Sequence, residues 1–148
     1  MTMLRHVGIV VSDLERALFF YRDLLGFSEA RIMDESGDFI DAILGMNKAH
    51  LRTVKLASAD NASQIELLEF MNPLVRDINR NIDLSTRGPT HIALTVDGLE
   101  ALHQRMSAAG VEFTTAPRRS VDGRALVTFC RDPDGTYVEL VELLEPPQ

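Results

Sequence analysis

Cysteine is nearly absent from this chain, and its scarcity excludes one broad class of protein. Cys130 is the only cysteine among 148 residues, so no disulfide can form within the chain. Small secreted domains held together by disulfides are therefore excluded, and a reducing compartment is the natural setting. We expect Cys130 to be a small, buried, apolar side chain in a strand.

Long apolar runs and basic runs are missing as well. The opening MTMLRHVGIVV turns polar at Ser12, before the core of a signal peptide develops, and no apolar stretch approaches the roughly 18 residues of a transmembrane helix. The formal net charge is −7, without the basic cluster that binding to a phosphate backbone requires. We therefore expect a soluble cytoplasmic protein that binds neither a membrane nor nucleic acid.

What the chain does contain is an internal repeat. HVGIVVSDLERALFFYRDLLGF begins at His6 and HIALTVDGLEALHQRMSAAGV at His91. In both, a His opens a short apolar strand, a polar cap precedes an amphipathic helix, and a Gly ends that helix. The step from His to Gly is 20 positions in the first copy and 19 in the second. Such a repeat divides one domain into two halves of similar plan.

Each half continues with three further strands and so forms a βαβββ unit. The halves span residues 1–71 and 89–148, and a linker at 72–88 opens on Asn-Pro and closes on Gly-Pro. The strands after the helices are predicted at 27–33, 51–57, 64–70, 111–116, 124–131 and 136–144, with helix caps at Ser12 and Asp97. Residues 34–38 are predicted as a polar turn, and residues 39–47 fit no single element.

This arrangement of elements predicts an α+β fold with a place for a ligand. A four-stranded sheet with one helix has only one face covered. Two such units bury their open faces most economically by curving toward one another around a shared concave interior. We expect a small-molecule substrate to bind in that concavity.

Four polar residues recur at equivalent positions of the two halves. His6 and His91 each begin a first strand, while Glu66 and Glu139 lie in the last strands, in the strings IELLEF and VELVEL. A single His or Glu at such a place usually has a structural explanation. A carboxylate between apolar neighbours is nevertheless costly to desolvate unless it is compensated. Two imidazoles and two carboxylates that converged would bind a divalent cation, and the recurrence of all four favours such a metal site.

Together these stretches resemble the vicinal-oxygen-chelate superfamily, which includes glyoxalase I, methylmalonyl-CoA epimerase, the extradiol dioxygenases and the bleomycin- and fosfomycin-resistance proteins. The resemblance rests on HVGIVVSDLERALFFYRDLLGF, IELLEF, THIALTVDGLEAL and DPDGTYVELVE, and it covers nearly the whole chain. It implies two βαβββ modules whose curved mixed sheets form a cup, a metal ion inside the cup and, usually, a homodimer.

The resemblance also implies roles for individual residues. Carried over one by one, His6, Glu66, His91 and Glu139 match the four metal ligands of the glyoxalase I pattern, with Ni, Co, Zn or Mn as the ion. The implied function is that of a metal-dependent isomerase or lyase, which transfers a proton through a metal-bound enediolate of a small oxygenated substrate. Glu139 or Glu66 would be the catalytic base.

Two other functions stay open at this point. An extradiol dioxygenase would hold Fe(II) with His6, His91 and Glu139 alone, because it needs free positions for catechol and dioxygen. A carboxylate at Glu66 favours the redox-neutral branch instead. A metal-free drug-binding protein of the bleomycin-resistance type would typically lack the ligand residues that this chain retains.

The chain departs from glyoxalase I at one informative position. Val10 stands where that enzyme carries an Arg that holds a glutathione carboxylate. The departure puts a glutathione site of that form in doubt, and the sequence assigns neither glutathione nor coenzyme A as part of the substrate.

Overall fold

The computed structural model of the chain describes residues 2–61, 64–76 and 83–144. These form two compact units, Met1–Asp77 and Ile78–Gln148, and each unit contains one four-stranded sheet. Residues 77–82 of the predicted linker lie outside the described ranges. Two mixed sheets with few helices confirm the predicted α+β class.

The first unit follows the βαβββ plan with one additional helix. Its elements are β1 (Val7–Val10), α1 (Leu14–Leu18), β2 (Ser28–Ser36), α2 (Asp38–Leu44), β3 (His50–Ala57) and β4 (Gln64–Asn72). The helix begun by α1 continues as a π-helix over Phe19–Leu24, in which the Leu25 N–H donates to the Phe20 carbonyl. The sheet order is β1-β4-β3-β2, with β1 parallel to β4 and the other pairs antiparallel.

The second unit repeats this topology. Its elements are β5 (His91–Thr95), α3 (Leu99–Ala108), β6 (Arg118–Arg119), β7 (Ala125–Arg131) and β8 (Tyr137–Leu143). The sheet order is β5-β8-β7-β6, with β5 parallel to β8. In both units the first strand therefore lies beside the last strand.

Three local predictions were wrong, and the pairing of edge strands explains two of them. Residues 34–38 do not form a turn, because β2 continues to Ser36 as an edge strand, where polar side chains remain solvated. Residues 39–47, which fitted no element, contain most of α2.

The predicted strand at 111–116 contributes only an isolated bridge between Phe113 and Cys130, and the short β6 takes the edge position. Pro117, which lacks an N–H group, separates the two segments.

The third wrong prediction concerns the helix caps, both of which lie one residue later than expected. Asp13 caps α1, and its Oδ1 accepts from the Arg16 N–H at 2.9 Å. Gly98 occupies the cap position of α3 with a positive φ of 64°, a conformation that glycine adopts at little cost. A glycine has no side chain to cap the helix, so the exposed N–H groups of α3 need another acceptor.

That acceptor comes from the last strand, and the same device operates in both units. The Glu142 carboxylate accepts from the Gly98 and Leu99 N–H groups at 3.0 and 2.9 Å. In the first unit, Glu69 accepts from the Leu14 N–H at 3.2 Å and from Arg52 Nε at 2.9 Å. A carboxylate at a helix N-terminus satisfies free N–H groups and complements the helix dipole. Each last strand is thereby tied to the start of the helix of its own unit.

The core of each unit lies between the helix and one face of the sheet. α1 lies against β4, and α3 lies against β8. The side chains buried there are almost entirely apolar; they include Leu14, Leu18, Tyr21, Val54 and Leu67 in the first unit and Leu99, Leu102, Met106, Val138 and Leu140 in the second. Burying such side chains is the main favourable contribution to folding.

The opposite face of the first sheet is partly covered by α2. Ile40 of this helix packs with Leu51, Leu68 and Phe70. Leu68 and Phe70 share their sheet face with Glu66, because alternate residues of a strand point the same way.

No helix in the described part of the chain is long and apolar enough to cross a membrane.

Cys130 is fully buried in β7, as the sequence predicted. Burial removes the thiolate from water and, with a smaller contribution from the nearby charge of Asp132, raises the pKa of the thiol to about 12. The thiolate is the nucleophilic form of cysteine, so Cys130 is an inert core residue.

Replacing Glu142 by Ala should destabilise the chain by about 1–2 kcal/mol, because two N–H groups at the start of α3 lose their acceptor. The free energy of unfolding, measured by urea denaturation followed by circular dichroism, checks this value. Glu100 lies in the first turn of the same helix and is exposed, so Glu100→Ala is the matched control, with a change below about 0.5 kcal/mol. Equal losses in the two variants would contradict the capping role.

Cys130 should not react with iodoacetamide in the folded protein at pH 8. A thiol with a pKa of about 12 is deprotonated in only about one molecule in ten thousand at that pH, and its side chain is also inaccessible. Mass spectrometry should detect full alkylation once guanidinium unfolds the chain. Rapid alkylation of the folded protein would show that the thiol is exposed or activated.

Candidate metal centre

Parallel pairing of β1 with β4 brings the first predicted pair of ligands together. Gly8 of β1 is the register partner of Glu66 in β4, and His6 lies two residues before Gly8, on the same side of the chain. Nε2 of His6 is 3.1 Å from Oε2 of Glu66. The topology of the unit therefore makes neighbours of two residues that are 60 positions apart in the sequence.

The second unit builds the same pair by the same means. Ala93 of β5 is the register partner of Glu139 in β8, and His91 precedes Ala93 by two residues. Nε2 of His91 is 3.4 Å from Oε2 of Glu139. The offset between the His and the Glu is thus identical in the two units, which supports the equivalence seen in the sequence.

The four side chains are partly exposed, as expected for residues that bind a metal ion or another small solute. The imidazoles of His6 and His91 are 30% and 36% exposed, and the carboxylates of Glu66 and Glu139 are 17% and 23% exposed. The carboxylates are therefore shielded, while the imidazoles remain reachable from solvent. Within either unit, the described residues contain no group of three or more His, Cys, Asp and Glu side chains that could hold a metal. Each unit by itself supplies one nitrogen donor and one oxygen donor.

The donor set fits a divalent cation in its chemistry. Imidazole nitrogen together with carboxylate oxygen suits Zn, Ni, Co and Mn. Metal-binding histidines usually engage their second ring nitrogen in a hydrogen bond, and Nδ1 of His91 lies 2.9 Å from Oγ1 of Thr90. Nδ1 of His6 is buried without a hydrogen-bond partner among the described atoms. Each His-Glu pair supplies donors that suit such a cation, and the His91 ring is the better anchored of the two imidazoles.

The surroundings of the two pairs differ at one equivalent strand position. Lys55 of β3 is the register partner of Glu66, and its Nζ lies 3.7 Å from Oε1 of that carboxylate. In the second unit Phe129 of β7 is the register partner of Glu139, and its ring packs edge-on against His91 at 5.3 Å between centroids. One pair therefore has a cation beside it and the other has an aromatic ring.

Sequence reasoning missed both of these neighbours. Lys55 and Phe129 lie in strands that were predicted correctly, but the two residues occupy equivalent positions and differ in type, so the repeat does not mark them. The signal that could have revealed them is register, because each stands across from a Glu in the adjacent antiparallel strand. Register depends on the lengths of the connecting loops, which strand patterns do not provide.

The remaining histidines take part in other contacts. Nε2 of His50 lies 2.9 Å from Oδ1 of Asp34, an exposed pair between β2 and β3. The ring of His103 packs against that of Phe113 at 4.4 Å between centroids. These contacts account for both residues in structural terms.

Comparison with known proteins identifies the family of the chain. Residues 3–140 match the family model of the Glyoxalase/Bleomycin resistance protein/Dioxygenase superfamily. A probable lactoylglutathione lyase of Synechocystis sp. is 30% identical over 140 residues, which cover 94% of each chain. The lactoylglutathione lyase of Haemophilus influenzae is 27% identical, covering 93% of this chain and 90% of that protein.

Solved structures show the same fold. A glyoxalase family protein from Bacillus cereus superposes with a TM-score of 0.90 at 20% identity, covering 98% of this chain and 96% of that one. A member of the superfamily from Sphaerobacter thermophilus gives a TM-score of 0.62 at 26% identity, covering 96% and 98%. At 20% identity the first of these is a likeness of fold alone.

Proposed function

The chain belongs to the Glyoxalase/Bleomycin resistance protein/Dioxygenase superfamily, and from that premise we propose that it is a metal-dependent lyase or isomerase of the glyoxalase type. It would remove a proton from a carbon atom beside a carbonyl group of a small oxygenated substrate and return that proton to carbon. The relatives named lactoylglutathione lyase support a lyase-type enzyme. The single observation that carries the finer proposal is the His-Glu pair, which occurs with the same strand offset in both units.

The proposed metal ligands are His6, Glu66, His91 and Glu139. In support, Nε2 and Oε2 of each pair already lie 3.1 and 3.4 Å apart, close enough for both atoms of a pair to reach one ion. When bound, a divalent cation such as Ni, Co, Zn or Mn would stabilise the negative charge that develops on two neighbouring substrate oxygens. The predicted homodimer and cytoplasmic location stay predictions.

Glu139 is the residue that we propose as the base. Both oxygens of the Glu66 carboxylate have partners, His6 at one and Lys55 at the other. The Glu139 carboxylate contacts His91 through one oxygen, so it can turn toward a substrate at a smaller loss of interactions. It would take the proton from one carbon and return it to the neighbouring carbon, and its low exposure limits exchange of that proton with water.

The contact between Glu66 and His6 also bears on the dioxygenase alternative. A three-ligand iron site would leave Glu66 without a role at the metal. Its Oε2 lies 3.1 Å from Nε2 of His6, as Glu139 lies beside His91, and this equivalence supports the four-ligand set. The drug-binding alternative is likewise less well supported, because all four ligand residues are present.

Wild-type protein reconstituted with Ni, Co, Zn or Mn should hold about one ion per chain, and Glu66→Ala should bind it at least about tenfold more weakly, because one carboxylate ligand is removed. Elemental analysis after dialysis measures both values, and Glu100→Ala, an exposed change of the same charge, is the control. A wild-type chain that takes up no metal would overturn the proposal. Iron retained without Glu66 would favour the dioxygenase.

Glu139→Gln should keep the fold and lower kcat by about a hundredfold or more, because an amide cannot accept the proton. The first assay uses the hemithioacetal of methylglyoxal and glutathione, the substrate that the names of the relatives indicate, and follows the absorbance of the thioester product. If wild type does not turn it over, the variants are compared by exchange of the carbon-bound proton of a 2-hydroxy acid with deuterated solvent. Glu100→Gln serves as the matched control and should leave kcat unchanged. If Glu139→Gln kept both its metal and the full rate, the assignment of the base would be wrong.

A further inference from the structure

Lys55 is the feature of the first unit that the repeat does not explain. Its register partner is Glu66, so the two side chains lie on the same face of the sheet. The equivalent position of the second unit is occupied by Phe129. Because the fold accommodates an aromatic ring at this place, the fold itself does not require a cation beside the Glu.

The positions of the atoms leave the ammonium group available to another partner. Oε2 of Glu66 faces His6, and Nζ of Lys55 lies 3.7 Å from the other oxygen, Oε1. Within the described ranges, Glu66 is the only carboxylate within 4.0 Å of Nζ. The Lys55 side chain is 40% exposed, so a solute can reach it.

A count of formal charges shows which kind of solute would be favoured. Two Glu ligands balance a divalent cation, so the proposed four-residue centre is neutral and Lys55 adds one positive charge beside it. Further along the same face, Arg31 of β2 is the register partner of Lys55, and the Glu35 carboxylate, which accepts from Thr53 Oγ1 at 3.2 Å, offsets the charge of Arg31. A carboxylate on the substrate would balance the charge of Lys55 and accept charge-assisted hydrogen bonds from the ammonium group.

We propose that Lys55 binds a carboxylate of the substrate, and that the substrate is therefore a 2-hydroxy or 2-oxo acid derivative, whose carboxylate supplies one of the two vicinal oxygens. This assignment rests on the proposed function, because it takes Glu66 as a metal ligand. It also gives the departure at Val10 a meaning, since the anionic group would be recognised from β3 instead of from β1.

A purely structural role for Lys55 makes the opposite prediction for metal affinity. If Lys55 served only to position Glu66, its loss would loosen that ligand and weaken metal binding. If Lys55 is a carboxylate receptor, its loss removes a like charge from beside the cation, and metal binding stays unchanged or becomes tighter. The sign of the change in metal affinity therefore separates the two roles without any measurement of activity.

The experiment compares wild type with Lys55→Met, Lys55→Arg and Lys48→Met by isothermal titration calorimetry. Lys48 is exposed and lies in the bend before β3, seven residues from Lys55, so its substitution removes the same charge elsewhere in the unit. Each Ni-loaded protein is titrated with oxalate, whose vicinal oxygens are anionic, and with hydroxyacetone, a neutral molecule with vicinal oxygens. Each metal-free protein is titrated with Ni.

Lys55→Met should raise the Kd for oxalate about tenfold or more and change that for hydroxyacetone by less than about twofold. Its Ni affinity should be equal to or tighter than that of wild type. Lys55→Arg should recover oxalate binding to within about threefold, and Lys48→Met should behave as wild type. Circular dichroism verifies that each variant is folded.

Failure of the role of Lys55 and failure of the proposed function would be distinguishable. Variants that all hold Ni and bind oxalate equally would overturn the role of Lys55 and leave the proposed metal centre intact. Weaker Ni binding by Lys55→Met would overturn the carboxylate-binding role of Lys55 in favour of a role in positioning Glu66. A wild-type chain without Ni affinity would overturn the proposed function and, with it, the inference about Lys55.

Discussion

The parallel pairing of the first strand with the last strand is the constraint on which each unit depends. It places the His that opens the unit beside the Glu that lies near its end. A shift of the register by one residue would move the Glu to the helix side of the sheet, because side chains alternate along a strand. The pairing therefore decides both which residues form the core and which donors stand together.

The last strand of each unit places one acidic side chain on each face of its sheet. In IELLEF the first Glu, Glu66, lies on the face of His6, and the second, Glu69, reaches the start of α1 on the other face. VELVEL repeats this with Glu139 and Glu142. A hydrogen bond to the helix thus resists the register shift that would misplace the donor. The two acidic residues of each string have different roles, although they look alike in the sequence.

Much of this architecture could be predicted from residues alone. The repeat that begins at His6 and His91 predicted the two βαβββ units, because helix periodicity and the closing glycines are local signals. Glu66 and Glu139 were identified as donors because they recur at equivalent places, and each lies beside the His of its own unit. The resemblance carried by the same stretches predicted the superfamily, which the family match confirms.

What could not be predicted depends on interactions between strands. The capping role of Glu142 follows from the approach of β8 to α3, and Lys55 meets Glu66 only because of the register between β3 and β4. α2 was missed because its short apolar stretch shows no clear periodicity. Its position depends on the packing of Ile40 against the sheet, which the sequence does not show. Such contacts join segments that are distant in the chain, and patterns within one segment do not report them.

The π-helix in the first unit marks where the two copies of the repeat have diverged. From the opening His to the first residue of the helix both copies count eight positions, but from there to the closing glycine the first copy is one residue longer. The widened turns at Phe19–Leu24 take up this residue within the helix. The extra residue is accommodated as a bulge within the helix, and the offset between the His and the Glu stays the same in the two units. The first helix is thus one segment in which the two units differ in length while their strand pairing is preserved.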